Sequence, residues 1–238
     1  MYCDLEHAMP VDPAPLRALG CKVAQGALDD EGHLETAMEQ VHTVFHLAPS
    51  LLDDPAGLLD AAATVVAAAI GAGCRRLVLL SGLGAAPDGG NPYLDAVAQA
   101  EEIASEAPLE SIVFRAALTY GPDDLLTAAL ARLTDRAANG GRHAPLWAVD
   151  LAAALAAADR ERAAAGAELN VVVPIAGPQT LALPELVRSL RGSPMAERTG
   201  GDLPSHAADY LARDITPPTN AIGQTGTTLA AALQGAPI

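Results

Sequence analysis

Half of the 238 residues are apolar, enough to bury a core and to exclude a globally disordered chain. Fourteen basic residues against 29 acidic ones leave a formal net charge of −15, a surface that repels phosphate backbones and anionic lipid, so no nucleic-acid partner and no membrane partner is expected. Cys3, Cys21 and Cys74 have no metal-ligand spacing, no basic-then-apolar leader opens the chain, and no apolar run is long enough to span a bilayer, so a cytoplasmic protein with reduced thiols is expected.

The first twenty residues are irregular, with Asp12 placed to cap a short helix that carries Leu16 and Leu19 and that Gly20 ends. Residues 21–25, CKVAQ, read as a short strand. Residues 28–40 place Leu34, Ala37 and Met38 at helical spacing. The run VHTVFHLA, 41–48, is β-branched and apolar and reads as a buried strand. Residues 55–73 form a helix with a glycine stop, and 74–81 form a second buried strand ending on Ser81. Residues 92–107 form a helix that Pro92 can open, and 111–121 a further strand. Beyond residue 122 come helices over 125–141 and 147–166, the second capped by Asp150. A strand over 168–177, a helix over 180–192 opened by Thr180, and a glycine- and proline-punctuated tail from Ser193 complete the chain.

Strands alternating with helices at this spacing predict parallel pairing with right-handed crossovers, and near-continuous apolar strands predict a sheet covered on both faces. The fold class is α/β, a doubly wound, mainly parallel, Rossmann-like sheet. A single domain is expected over 1–238, with 1–122 and 147–177 as the core and 123–146 and 178–238 as a substrate or lid region. Ligands of such sheets bind beyond the carboxyl ends of the strands. Those ends carry Ala48-Pro49, Ser81-Gly82-Leu83-Gly84 and Thr119-Tyr120-Gly121-Pro122. Ala48, Pro49, Ser81 and Tyr120 are therefore candidates for binding a small molecule or a cofactor.

Six segments in order, LRALGCKVAQGALDD, VFHLAP, AAIGAGCRRLVLLSGLGA, PYLDAVAQAEE, SIVFRAALTYGPDD and IAGPQTLALPELVRSL, carry a resemblance. The chain resembles the atypical and extended short-chain dehydrogenase/reductases, especially NmrA-like and nucleoside-diphosphate-sugar-epimerase-like proteins. The resemblance implies NAD(P) as cofactor, Tyr93 and Ser81 as catalytic residues, and pairing of two copies as a homodimer through helices beside the sheet. It also exposes three departures. Family members open with a strand, a Gly-rich turn and a helix that hold the pyrophosphate, roughly thirty residues with no counterpart here. Ala27 stands where an adenine-binding aspartate is usual, and EHAMPVDP offers no arginine for a 2′-phosphate. Val97 stands four residues after Tyr93, where a lysine would favour the phenolate and relay protons. Asp95 and Glu101, if near, would push the phenol the other way. Arg115 and Tyr120-Gly121-Pro122 match the family pattern, with Ala116 in place of its proline.

Each candidate also has a plain structural reading. Tyr93 can be a half-buried helix-start tyrosine, Ser81 a cap for the glycine loop, and Tyr120 a packing residue. His46 reads as a core histidine that makes, with His42, too few ligands for a metal. Asp123-Asp124 reads as a solvated turn and Trp147 as packing against the tail. With the first strand of the resembled fold missing, residues 2–7 are expected to fill its slot inside the sheet, since bare edges invite aggregation. The departures favour a redox-dead protein with no cofactor or weak NAD(P) binding, holding a small molecule or a protein partner. The alternatives are an NAD(P)H-dependent oxidoreductase or epimerase, and a cofactor-independent isomerase or cyclase that reuses Tyr93 and Ser81.

Overall fold

Four parallel strands form the centre, in the order β3 (Thr43–His46), β4 (Arg76–Gly82), β5 (Glu110–Ala116) and β9 (Asn170–Ile175). The computed structural model describes residues 2–4, 14–122, 124–134, 140–165, 170–191, 193, 202–223 and 226–235. Asp12, residues 5–7, Asp123 and 135–139 lie outside the described residues, and the helix expected over 125–141 ends at Arg132, with Leu133 and Gly141 no longer helical. Mostly parallel strands with helices between them make this the expected Rossmann-like α/β architecture.

The crossovers begin on signals that are local in sequence. Helix α3 (Pro55–Gly71) starts with Pro55 in its first turn, and the Asp54 carboxylate accepts from Gly57 N at 3.1 Å. Gly73, at φ +73°, turns the chain out of it. Helix α4 (Pro92–Glu106) repeats the device, with Asn91 Oδ1 accepting from Leu94 N at 3.1 Å. Helix α2 (Glu31–Met38) is capped by Asp30. Helices α2, α3 and α4 cover one face of the sheet, burying Leu34, Val65 and Ala104 with Leu77, Leu79 and Val113. Helix α6 (Ala148–Ala165) covers the other, where Leu151 and Leu155 meet Val78, Ile112 and Phe114.

Five expectations need correction. Residues 2–4 do form a strand, β1 (Tyr2–Asp4), but it pairs in parallel with β2 (Ala24–Gly26) as a separate two-stranded ribbon and not within the four-stranded sheet. Strand β3 is consequently an edge among the described residues. Phe45 is 39% exposed and Leu47 47%, so the apolar run 41–48 is not covered on both sides. The strand expected over 111–121 splits, because Ala117 N turns aside to Ile175 O and the chain resumes as β6 (Thr119–Tyr120), paired with β8 (Leu146–Trp147). Asp150 lies inside α6 and caps nothing; its carboxylate accepts from Thr227 N at 2.6 Å and Thr227 Oγ1 at 3.1 Å. Thr180 does not open the helix that follows, because β10 (Leu181–Ala182) intervenes before α7 (Leu183–Arg191).

Apart from α1 (Ala14–Ala18), which precedes β2, the remaining elements gather at the carboxyl ends of the central strands. They are α5 (Leu125–Arg132), β7 (Arg142–His143), α7, α8 (Ser205–Leu211) and α9 (Leu229–Gly235). Their side chains build a separate apolar cluster that takes in Tyr93, Tyr120, Trp147, Tyr210 and Leu229. Trp147 thus packs against the tail, as expected. Among the described residues no helix is long and apolar enough to cross a membrane, and no group of three or more His, Cys, Asp or Glu side chains could hold a metal ion.

Candidate functional site

The candidate site is the rim where β3, β4 and β5 end, the place where ligands of such sheets bind. After β3, Leu47-Ala48-Pro49 leads into a turn closed by side chains: Ser50 N donates to Asp53 Oδ2 at 3.0 Å and Leu52 N to Ser50 Oγ at 3.2 Å. Ala48 and Pro49 are half-buried on this rim. After β4, the chain turns through Gly84, at φ +94°, into a loop shaped by Gly89 N donating to Asp95 Oδ1 at 2.7 Å. That loop delivers Asn91 and then Tyr93 to the strand tips.

Tyr93 is 8% exposed. Its ring lies where a side chain at residue 82 would be. A Cβ on Gly82 would stand 2.9 Å from Tyr93 Cε1 and 3.1 Å from its hydroxyl, so only glycine fits there. Burial, and secondly the charge of Asp53, push the phenol well above its ordinary value. The acid that acts on Tyr93 is therefore Asp53. Asp95 is engaged with Gly89 N, and Glu101 is engaged elsewhere.

Ser81 and Tyr93 do not meet through their hydroxyls. Successive strand residues point to opposite faces, so with Gly82 facing Tyr93, Ser81 turns away beneath α4. Its Oγ donates to Glu101 Oε1 at 2.5 Å, and Arg115 grips the same carboxylate through Nε at 2.9 Å and Nη2 at 2.6 Å. Ser81 and Arg115 thus belong to a structural ion-pair cluster that fastens α4 to the sheet. Val97 is 1% exposed and packed in the apolar cluster, where it can supply neither charge nor proton. Lys22 is the one lysine in the sequence, and it precedes β2. No lysine from another position stands in for the missing one.

Tyr120 is 1% exposed, and its hydroxyl has no hydrogen-bond partner among the described residues. Burial first, and the charge of Asp150 second, push it up to about 12. It packs at 5.4 Å, centroid to centroid, against Trp147 and does not line an open surface. Asp124, expected in a solvated turn, caps α5 through Thr127 N at 2.7 Å.

Four residues at the crevice had no signal in the sequence reading: Asp53, His206, Tyr210 and Arg213. They come together through the tertiary fold. Tyr210 meets Tyr93 edge to face at 5.8 Å. His206 Nε2 donates to Leu51 O at 3.1 Å. Arg213 donates to Gly89 O at 2.7 Å and to Gly90 O at 2.6 Å. No pattern of periodicity or spacing links these positions.

No protein-family model matches the chain, and no curated protein matches its sequence. Solved structures do match its fold. A UDP-glucose 4-epimerase of Thermotoga maritima, solved with UDP-glucose, is 16% identical and superposes at a TM-score of 0.70 over 98% of this chain and 88% of its own. The enzyme WbmG of Bordetella bronchiseptica, solved with NAD and UDP, is 18% identical, at a TM-score of 0.67 over 98% of this chain and 83% of its own. A UDP-glucose 4-epimerase of Thermus thermophilus, solved with NAD, is 18% identical, at 0.60 over 93% of each chain. What the chain shares with these enzymes is their fold, the Rossmann-like α/β sheet that its strand and helix order implies.

Proposed function

We propose that this protein binds a small organic ligand in the crevice at the carboxyl ends of β3, β4 and β5, and that it does not perform tyrosine–lysine hydride chemistry there. The observation that carries this reading is the environment of Tyr93. A phenol serves well as a general base at neutral pH when a nearby cation brings its pKa down. Tyr93 has Val97 in place of a lysine at the relevant position, and its own burial first, then the charge of Asp53, favour the protonated phenol. Ser81 adds nothing to the chemistry while its hydroxyl is held by Glu101.

A second reading is an NAD-dependent epimerase or dehydratase acting on a nucleoside-diphosphate sugar. The likeness in fold to enzymes solved with NAD, UDP or UDP-glucose favours it. One titration separates the two. A ligand at a hundred times its dissociation constant adds about 2.7 kcal/mol to stability. Melting curves with NAD, NADH, NADPH and UDP-glucose are expected to show no such gain for the dinucleotides under the first reading. A dinucleotide-dependent rise in melting temperature, with sugar turnover abolished by Tyr93→Phe, would establish the second.

A further inference from the structure

We infer that α8 is an autoinhibitory strap: the segment from Pro204 to Arg213 closes the strand-tip crevice over Tyr93, and it must lift before a ligand reaches that residue. The inference rests on the crevice being the ligand site. Four tether points hold the strap to the two loops that build the rim. On the β3–α3 loop, His206 Nε2 donates to Leu51 O. On the β4–α4 loop, Tyr210 Oη donates to Leu83 O at 3.4 Å, and Arg213 donates to the carbonyls of Gly89 and Gly90. At the start of α4, the cap residue Asn91 also donates, through Nδ2, to His206 O at 2.8 Å. The Tyr210 ring lies against Tyr93, and Ala207 and Leu211 are buried beside it. Next along the chain, Ile215 fills the space above Gly84, where a Cβ would stand 3.2 Å from its Cδ1.

Little within the segment itself holds it in place. Helix α8 has seven residues, and its N-cap is Pro204, which makes no side-chain cap bond. A helix that short and uncapped holds its shape through its contacts and not by itself. Its carboxyl end is anchored on the far side: Leu211 O accepts from Gly141 N at 2.9 Å and from His143 Nε2 at 3.1 Å, and Ile215 N donates to Arg142 O. The tethers toward the crevice end mostly on backbone carbonyls, which water can satisfy once the strap is off. The available motion is a swing about the anchored end that draws His206 off Leu51 and the Tyr210 ring off Tyr93.

Nitration by tetranitromethane, read by peptide mass spectrometry, reports the exposure of Tyr93 with Tyr120 as an internal reference. In His206→Ala and in Arg213→Ala, nitration of Tyr93 is expected to rise at least about tenfold over the unaltered protein while Tyr120 stays protected. An unchanged Tyr93 overturns the proposal. So does a parallel rise at Tyr120, which would mean general loosening. Hydrogen exchange on the unaltered protein needs no variant: amides of Ala208–Ala212 are expected to exchange at least tenfold faster than those of β4, and equal rates overturn the strap. Titrating Arg213→Ala with NADH and with UDP-glucose tests the crevice separately. If Tyr93 opens and neither probe binds, the strap stands and the nucleotide form of the ligand reading falls.

Discussion

His46 sits at the carboxyl end of β3, 5% exposed, and its Nε2 has no hydrogen-bond partner among the described residues. A core histidine was expected at this position; one with an orphaned nitrogen was not. Burial lowers its pKa from 6.5 to about 4. The folded protein therefore keeps the ring neutral. Above pH 6.5 both folded and unfolded chains carry it neutral, and nothing is lost. Between pH 6.5 and 4 the unfolded chain takes up a proton that the folded chain refuses, so stability falls by up to ~3 kcal/mol, and below pH 4 the loss levels off. Urea unfolding from pH 7 to pH 4 should show this slope, and His46→Leu should flatten it. A variant with the same slope would place the acid sensitivity elsewhere. At this scale the sequence was legible where a single position decides the chemistry, as Val97 does. It was silent on Asp53, because which carboxylate approaches a phenol depends on how two loops fold together.

Some helix boundaries were legible, as at Pro92 and the glycine stop at Gly73, while Asp150 and Thr180 were misread as helix starts, and the caps Asp54 and Asn91 show only in the structure. Asp54-Pro55, Asn91-Pro92 and Gly73 each act within one turn of their own position. What fastens one element to another was not legible. Arg76, on β4, donates through Nε to Glu110 Oε2 at 2.7 Å and through Nη1 to Asp159 Oδ1 at 2.8 Å, while Thr43 Oγ1 reaches Asp159 Oδ1 at 3.0 Å. One buried guanidinium thus ties β4 to β5 and α6, and Asp159 extends the tie to β3. Arg76→Met should cost roughly 1–3 kcal/mol, less than a fully buried pair because Glu110 and Asp159 keep some solvent. Denaturant unfolding checks it. A loss below about 0.5 kcal/mol would assign the helix–sheet attachment to apolar packing alone.

Across the whole molecule, the parallel sheet ends on an edge that its own sequence disguised. A run such as VFHLA looks like an inner strand, since parallel strands are ordinarily covered on both faces. Here the strand that could have flanked it pairs with β2 instead, and Phe45 and Leu47 face outward. An apolar edge of this kind is a template for pairing with another chain, and a lysine on it is a natural remedy. Phe45→Lys should lower self-association in high salt, where the net charge of −15 no longer keeps copies apart. Sedimentation at rising concentration measures this, and an unchanged distribution would rule the edge out as the contact.

By itself the sequence determined the alternation of strands and helices, the proline start of α4 and the glycine stop of α3, the strand ends where ligands of such sheets bind, and that no lysine stands four residues after Tyr93. These depend on residues within a few positions of one another, where periodicity and capping act. The tertiary structure alone decided that β1 joins β2, that Ser81 turns to Glu101, that Asp53 rather than Glu101 acts on Tyr93, and that α8 packs against the loops after β3 and β4. Each of those is a contact between segments far apart in the chain, formed by packing whole elements against each other, and no local pattern of residue types encodes it.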